Sequence, residues 1–170
     1  MSSIIIDFFI IAIVVLGIAF VASLFPKRIT IFDYERGVIY RSGKFHRILS
    51  PGAYWLFQRF DTMQKVDIRT RFITIPGQEV LSADNINVKV SIAASYRIEE
   101  PYKALTNTVS YTESLYMVLQ LGLRDLFSST PIDELLAKRA DISKQLFEKI
   151  SNQVADLGLV LLSADIKDFM

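Results

Sequence analysis

The chain has no cysteine and only one histidine and one tryptophan among its 170 residues. The lack of cysteine excludes disulfide bonds, thiolate catalysis, cysteine-ligated zinc and palmitoyl anchoring. The single histidine, His46, lies in a segment that we interpret as a turn between strands. A solvated or hydrogen-bonded histidine is far commoner there than a general base.

Motifs that bring catalytic groups together are also missing. No G-x-S-x-G, H-E-x-x-H, Walker A or G-x-G-x-x-G pattern occurs. Asp84 and Asn85 carry ligand-type side chains, but two such residues in a predicted turn are most simply turn formers. We therefore expect no catalytic residue, no metal site and no cofactor, and we do not expect an enzyme. The net charge of +1, without a clustered basic segment, argues against nucleic-acid binding.

Charge is nearly absent from one long stretch near the N-terminus. Residues 4–25 read IIIDFFIIAIVVLGIAFVASLF, with Asp7 as the only charge. A helix of that length would measure roughly 33 Å, against about 30 Å for the hydrocarbon core of a bilayer. We predict that residues 1–28 form a membrane anchor. The residues expected to contact lipid are Phe8, Ile11, Val15, Gly17, Phe20 and Leu24.

This stretch has three other interpretations. A cleaved signal peptide would have a shorter apolar core with basic residues ahead of it. A buried core helix would show a polar stripe at the helical period. Both fit the sequence less well than an anchor. A shallow hairpin that turns near Gly17 is an alternative form of the anchor, and the sequence leaves it open.

Pro26-Lys27-Arg28 ends the apolar stretch. Basic residues follow it, whereas the N-terminal side offers only the α-amine, so the positive-inside rule places residues 26–170 in the cytoplasm. Lys27 and Arg28 are predicted to lie close to the headgroups. Trp55, in the aromatic run Tyr54-Trp55-Leu56-Phe57, is predicted to join them, and packing of that run in the core is the alternative.

The residues after the anchor alternate in polarity, which indicates β-strands. Residues 38–41 are a predicted strand, and Glu35-Arg36-Gly37 before it is a predicted turn. A further strand is predicted over residues 66–72. The longest alternation, residues 85–98, predicts a strand with one buried face and one solvated face, as in antiparallel sheets.

The period then changes to that of helices. Ser110 and Glu113 form a capping-box pair ahead of apolar residues at helical spacing. Thr130 and Pro131 predict a second helix start, with the threonine as N-cap and the proline as the first helical residue. A third helix is predicted to end at Gly158 with a positive φ, before a final strand. This order predicts an α+β domain with a mainly antiparallel sheet and packed helices.

A series of different short motifs follows in order along most of the chain. They are Glu35-Arg36-Gly37-Val38, Arg41-Ser42-Gly43-Lys44-Phe45, Leu49-Ser50-Pro51-Gly52, Val66-Asp67-Ile68-Arg69, Gln78-Glu79-Val80, Ser82-Ala83-Asp84-Asn85, Pro101-Tyr102-Lys103-Ala104-Leu105, Leu123-Arg124, Leu135-Leu136-Ala137-Lys138-Arg139, Leu157-Gly158 and Ala164-Asp165-Ile166-Lys167-Asp168. Their order and spacing, behind a membrane segment, resemble the stomatin–prohibitin–flotillin (SPFH, band 7) superfamily. Within it they look most like the prokaryotic stomatin-like slipins. The resemblance implies that residues 29–170 form the SPFH domain.

The resemblance implies a non-enzymatic, membrane-anchored scaffold. Members of the superfamily oligomerise, organise lipid microdomains and regulate membrane proteases or channels, and bacterial slipins often pair with a membrane protein of the NfeD type. We therefore expect membrane lipid as a partner, a homo-oligomer of the full-length protein, and a membrane protease, channel or NfeD-type partner. An accessory subunit that binds one such partner without a scaffold role is the alternative.

Two arginines in the matching motifs, Arg124 and Arg139, are predicted to form structural ion pairs within or between protomers. The superfamily usually continues, after the stretch matching residues 165–169, into a long Ala/Glu-rich coiled-coil helix. The sequence stops at Met170, so we expect the SPFH domain here without its coiled-coil extension. Assembly is then an expectation for the full-length protein.

Overall fold

A computed structural model of the chain describes residues 11–18, 20, 26–57 and 59–169. Contacts divide the chain into two compact units, Met1–Val66 and Asp67–Met170. An N-terminal helical segment, α1, covers residues 11–18. The strands are β1 (Lys27–Ile31), β2 (Glu35–Arg41), β3 (Lys44–Leu49), β4 (Gly52–Leu56), β5 (Asp61–Asp67), β6 (Arg71–Leu81), β7 (Asn87–Ile98) and β8 (Leu159–Phe169). The further helices are α2 (Pro101–Thr106), α3 (Tyr111–Ser128), α4 (Ile132–Ala137) and α5 (Arg139–Asp156).

The first unit is built from short strands, of which β1 with β4 and β2 with β3 pair antiparallel. β1 and β4 form a two-stranded antiparallel ribbon, and a three-stranded sheet has the order β3-β2-β5. Alternate side chains of these strands point inward and form one apolar cluster, as the period of two along a strand requires. The buried members are Ile31, Ile39, Leu49 and Leu56, with Ile29, Tyr54 and Met63 packed against them.

Gly37 lies inside β2, so the prediction of a turn at Glu35-Arg36-Gly37 is wrong. The chain reverses earlier, where the Glu35 N–H donates to the Phe32 carbonyl at 2.9 Å. A Cβ at position 37 would stand 2.6 Å from the Ile31 Cδ1 in the core. The glycine therefore serves close packing and not a positive φ. His46 likewise lies in strand β3 and not in a turn, and its side chain is exposed.

The second unit combines an antiparallel sheet with helices. Its sheet has the order β6-β7-β8, and both pairings with the central strand β7 are antiparallel. α3 packs on β6 and α5 packs on β8, and the two helices contact each other. The apolar stripes predicted for these helices are buried, at Leu115, Leu119, Leu126, Ile142, Leu146, Ile150 and Val154. The α+β class with mainly antiparallel sheets is confirmed.

The helix starts agree with the sequence in one case and differ in another. Ser110 is the N-cap of α3 and its hydroxyl accepts the Glu113 N–H at 3.3 Å, as predicted. The N-cap of α4 is Pro131 and not Thr130, so that prediction is wrong. The first N–H of α4, at Ile132, donates to the Asp84 carboxylate at 2.9 Å. An acidic residue distant in sequence thus takes the capping role given to the threonine.

Two local features of the chain path differ from the predicted pattern. The alternation over residues 66–72 spans a break, because β5 ends at Asp67 and β6 begins at Arg71. The Arg69 N–H donates to the Asp67 carboxylate at 2.9 Å and closes the bend. Helix α2 was not predicted, since six residues are too few for a helical period. Its signal is Pro101 at the first turn, a position that suits proline.

Candidate membrane-facing surface

The described part of the N-terminal stretch is apolar and exposed on all sides. Seven of its large side chains are each more than half exposed: Ile11, Ile13, Val14, Val15, Leu16, Ile18 and Phe20. A helix that is apolar all round belongs in a large core or in lipid. No helix among the described residues is both long enough and apolar enough to span a bilayer. The predicted lipid contacts Phe8 and Leu24 lie outside the described residues, and Gly17 lies in α1 with open space around it.

The β1–β4 ribbon follows this stretch and separates the aromatic run into two faces. Tyr54 packs against the core and Leu56 is buried in it, whereas Trp55 is 64% exposed. The core interpretation therefore holds for Tyr54 and Leu56, and the position of Trp55 at the membrane interface stays a prediction. Trp55 stands directly opposite Arg28 in the register of the ribbon, so the structure brings these two predicted membrane-proximal residues together. Lys27 is exposed and pairs with Leu56, on the other face.

A tight turn after β4 exposes two more aromatic rings. The N–H groups of Phe60 and Asp61 both donate to the Phe57 carbonyl, at 3.0 and 2.9 Å. The side chains of Phe57 and Phe60 are 49% and 56% exposed. The Arg59 guanidinium lies 5.4 Å from the ring centroid of Phe20, a cation–π contact between the turn and the N-terminal stretch.

An ion pair fixes the base of this turn. The Asp61 carboxylate is buried and accepts two hydrogen bonds from Arg41, at 2.7 and 3.1 Å. This bidentate pairing lowers the pKa of Asp61 below its usual value, so the carboxylate stays ionised at neutral pH. The Ser42 N–H also donates to the Phe60 carbonyl at 2.9 Å. These hydrogen bonds hold the base of the turn that carries the exposed rings.

We call Phe20, Arg28, Trp55, Phe57, Arg59 and Phe60 the aromatic–basic surface. Aromatic rings favour the boundary between hydrocarbon and water, and arginines bind phosphates of headgroups. The combination therefore suits a lipid surface better than a reaction. Arg59 and Phe60 were not singled out from the sequence, although the basic and aromatic residues that follow β4 were a visible signal.

The remaining candidate residues lie elsewhere. Arg124 is exposed on α3 and has no hydrogen-bond or ion-pair partner among the residues described. Arg139 begins α5, and its side chain lies outside the described part of the chain. Their role in ion pairs between protomers stays a prediction. Asp84 caps α4 and Asn85 has a φ of 61°, which are the roles of turn formers.

Comparison with known proteins places this chain in a family. The model of the SPFH domain / Band 7 family matches residues 29–170. The chain belongs to this family. The chain is 31% identical over 163 residues to a stomatin homologue of Pyrococcus horikoshii, and the match covers 95% of this chain and 60% of that protein. A stomatin homologue of Pyrococcus abyssi is 31% identical over 136 residues, 80% of this chain and 51% of that protein.

Stomatin of Mus musculus is also similar, with 28% identity over 141 residues. The match covers 80% of this SPFH-domain chain and 49% of the mouse protein. The chain thus spans between about half and three fifths of the length of these relatives.

Proposed function

We propose that this SPFH-domain protein is a stomatin-like scaffold anchored in a membrane through residues 4–25. The observation that supports this most directly is the exposed apolar surface of α1 together with the aromatic–basic surface, which Arg59 joins to Phe20 at 5.4 Å. Water would be a poor environment for so many exposed apolar side chains. A bilayer suits both parts, because the apolar stretch enters hydrocarbon while Arg28 and Arg59 reach the headgroups.

In this proposal the protein acts by binding and by local concentration, and not by turnover. The domain lies on the cytoplasmic side, as the basic residues after the apolar stretch favour. Self-association of the full-length protein would hold many copies on one surface, so weak contacts with lipid and with a membrane protease, channel or NfeD-type partner would add up through high effective concentration. Membership of the SPFH family supports a scaffold role of this kind.

The position of Trp55 provides a direct test of membrane contact. Its exposed fraction, 64% of a side chain of roughly 250 Å², is about 160 Å², and burial of that area is worth up to about 4 kcal/mol. The apolar stretch contributes far more, so Trp55→Ala should not release the protein from the membrane. A measurement of depth is therefore more informative than a measurement of binding.

Trp55 is the sole tryptophan of these 170 residues, so in this chain its fluorescence reports one position. When the chain is reconstituted into vesicles, we expect a blue shift of the emission and strong quenching by lipids brominated near the headgroup end of the acyl chain. The matched control carries Trp55→Phe with Tyr34→Trp, which moves the reporter beyond the far end of β1, on the order of 10 Å or more from Arg28. Its emission should be quenched much less.

Equal quenching of both variants, or no quenching at Trp55, would contradict the proposed orientation of the first unit. The scaffold role needs a separate test by detergent-free native extraction and sizing of the native gene product. A large homo-oligomer is expected, and a strictly monomeric protein would overturn the scaffold role. A single stoichiometric partner without self-association would instead favour an accessory subunit.

A further inference from the structure

The second unit contains a groove of about 650 Å³ between strand β6 and helix α3. Its strand side consists of residues 78–83 and Asn85, and its helix side includes Gln120, Leu121 and Arg124. All of these residues belong to one compact unit. None of these residues belongs to the aromatic–basic surface.

The strand side of the groove is a free sheet edge. β6 is at one edge of the sheet β6-β7-β8, and residues 78–81 pair with β7 on one side only. No described strand pairs with the other side. Alternate backbone N–H and C=O groups there point toward the groove, and such an edge can accept another extended chain.

A bulge limits the length of this free edge. The register of β6 against β7 shifts between Ile75 and Gln78, at Pro76 and Gly77. Proline has no N–H to donate, and the Gly77 N–H is already bonded to the Ser91 hydroxyl at 3.1 Å. Pairing beyond Gln78 is therefore interrupted, and the groove fits a short segment of about four residues.

The side chains around the edge offer apolar contacts, an amide and a cation. Leu81 and Leu121 are 55% and 61% exposed and flank the groove from strand and helix. The Gln120 amide donates to the Gln78 side-chain carbonyl at 2.7 Å and links the two walls. Arg124 lies one turn further along α3, and its guanidinium has no partner among the described residues.

Two acidic residues near Arg124 each have a lysine bonded to them or opposite them, and neither forms an ion pair with Arg124 in the described part of the chain. Asp125 forms an ion pair with Lys149 of α5. Glu79, the one acidic residue among those lining the groove, stands directly opposite Lys89 in the register of β6 and β7. Arg124 is therefore the positive charge that remains for a ligand.

From these features we infer that the groove binds an extended segment of a partner protein by strand addition to β6, with a carboxylate of that segment held by Arg124. The carboxylate belongs to an acidic side chain or to a C-terminus. The inference adds a means of partner capture to the proposed scaffold, but its site uses only residues 78–128. A failure to bind peptide would leave membrane contact at Trp55 untouched.

The test uses the full-length protein in detergent micelles and two displayed libraries of random octapeptides, one with a free C-terminus and one with a blocked C-terminus. We expect enriched peptides with a carboxylate next to apolar or β-branched residues at alternate positions. Enrichment from the free library alone would identify a C-terminal carboxylate, and enrichment from both would identify an acidic side chain.

Variants and modified peptides separate strand addition from simple charge attraction. Arg124→Gln should weaken binding of the enriched peptide by about tenfold or more, since a charge-assisted hydrogen bond is lost. Arg97→Gln removes the same charge from an exposed site in the same unit and should leave binding unchanged. Methylation of one alternate set of peptide N–H groups should abolish binding, whereas methylation of the other set should not, because only one set faces β6.

Several results would overturn the inference. These are no enrichment, equal effects of the two N-methyl sets, and equal affinity of the Arg124→Gln variant. Hydrogen exchange at residues 78–81 provides a further readout, and peptide should slow it. Slower exchange that depends on protein concentration alone would show a second copy of the chain in the groove. Slower exchange caused by vesicles alone would show lipid there. Either result would overturn the inference.

Discussion

Replacement of Gly158 by alanine should destabilise the second unit much more than an ordinary glycine-to-alanine change. Gly158 joins α5 to β8 with a φ of +74°. Its carbonyl accepts the N–H groups of Glu99 and Glu100, both at 3.0 Å, where β7 leads into α2. One glycine therefore connects four elements of the unit.

The magnitude follows from the backbone and its neighbours. A residue with a Cβ in this left-handed conformation costs about 1–2 kcal/mol. The Cβ would stand 2.6 Å from the Glu100 carbonyl oxygen and 2.7 Å from the Ala104 nitrogen. Both are backbone atoms, so α2 must shift and the two hydrogen bonds weaken, at about 0.5–1.5 kcal/mol each. After the smaller entropy of the unfolded alanine chain is allowed for, we expect a loss of about 3 kcal/mol.

Gly43→Ala is the matched control. Gly43 has nearly the same conformation, with a φ of +79°, but a Cβ there would meet nothing within 4 Å. Its substitution should cost only the conformational term, about 1 kcal/mol. The difference between the two variants therefore isolates the contact with α2.

The assay is urea unfolding of the 170-residue chain in detergent with two probes. Four of the five described helices, α2–α5, lie in the second unit, so far-ultraviolet circular dichroism mainly follows Gly158→Ala, while Trp55 in the first unit follows Gly43→Ala. With a slope of about 1–3 kcal/mol per molar urea, the midpoint should fall by about 1–3 M for Gly158→Ala and by less than half of that for Gly43→Ala. Equal shifts would refute the reasoning, because the contact with α2 would then add nothing.

Two other substitutions test single contacts. Hydrogen bonds from Arg69 lower the pKa of Asp67 to about 2. The ionised carboxylate of Asp67 therefore stabilises the fold fully above the unfolded pKa of about 3.9, and this contribution is lost as the pH falls from about 4 to about 2. Asp67→Asn should reduce the loss of unfolding free energy over that pH range by on the order of 1 kcal/mol or less, because the pair is exposed. Melting temperatures at a series of pH values would show this as a shallower fall, and an unchanged slope would contradict it. Gly122→Ala places a Cβ against the Ile150 side chain where α3 contacts α5. The urea midpoint followed by circular dichroism should therefore fall by the equivalent of about 1–3 kcal/mol. A raised midpoint would contradict the close packing.

Much of the fold was predictable where one physical signal dominates. The alternation over residues 85–98 predicted β7, because one face of that strand is buried and most of the other is not. The helical stripes of α3 and α5 were predictable for the same reason. Gly37 was misinterpreted because glycine signals both turns and close packing, and only the position of Ile31 distinguishes them. The start of α4 depends on Asp84, which no local pattern connects with it.

The candidate surface was predictable only in part. The aromatic run left two interpretations because the phase of a strand is fixed by its partner, and the pairing of β4 with β1 is a tertiary fact. Once that register is known, Trp55 must face away from the core and stand beside Arg28. The contact of Arg59 with Phe20 joins residues far apart in sequence, and no spacing rule would have suggested it.

The two proposed surfaces suit different partners for a physical reason. A lipid surface is fluid and has no fixed pattern of hydrogen bonds, so rings such as Trp55 and cations such as Arg28 can bind it without a set register. A strand edge has donors and acceptors at fixed intervals, so the groove beside Arg124 requires an extended chain in one register. Trp55→Ala, with Tyr34→Trp as the fluorescent reporter, should therefore change depth in the membrane and leave peptide affinity unchanged. Arg124→Gln should do the reverse. A variant of either residue that altered both readouts would show that the two sites are coupled, and one set of contacts would then have to explain both.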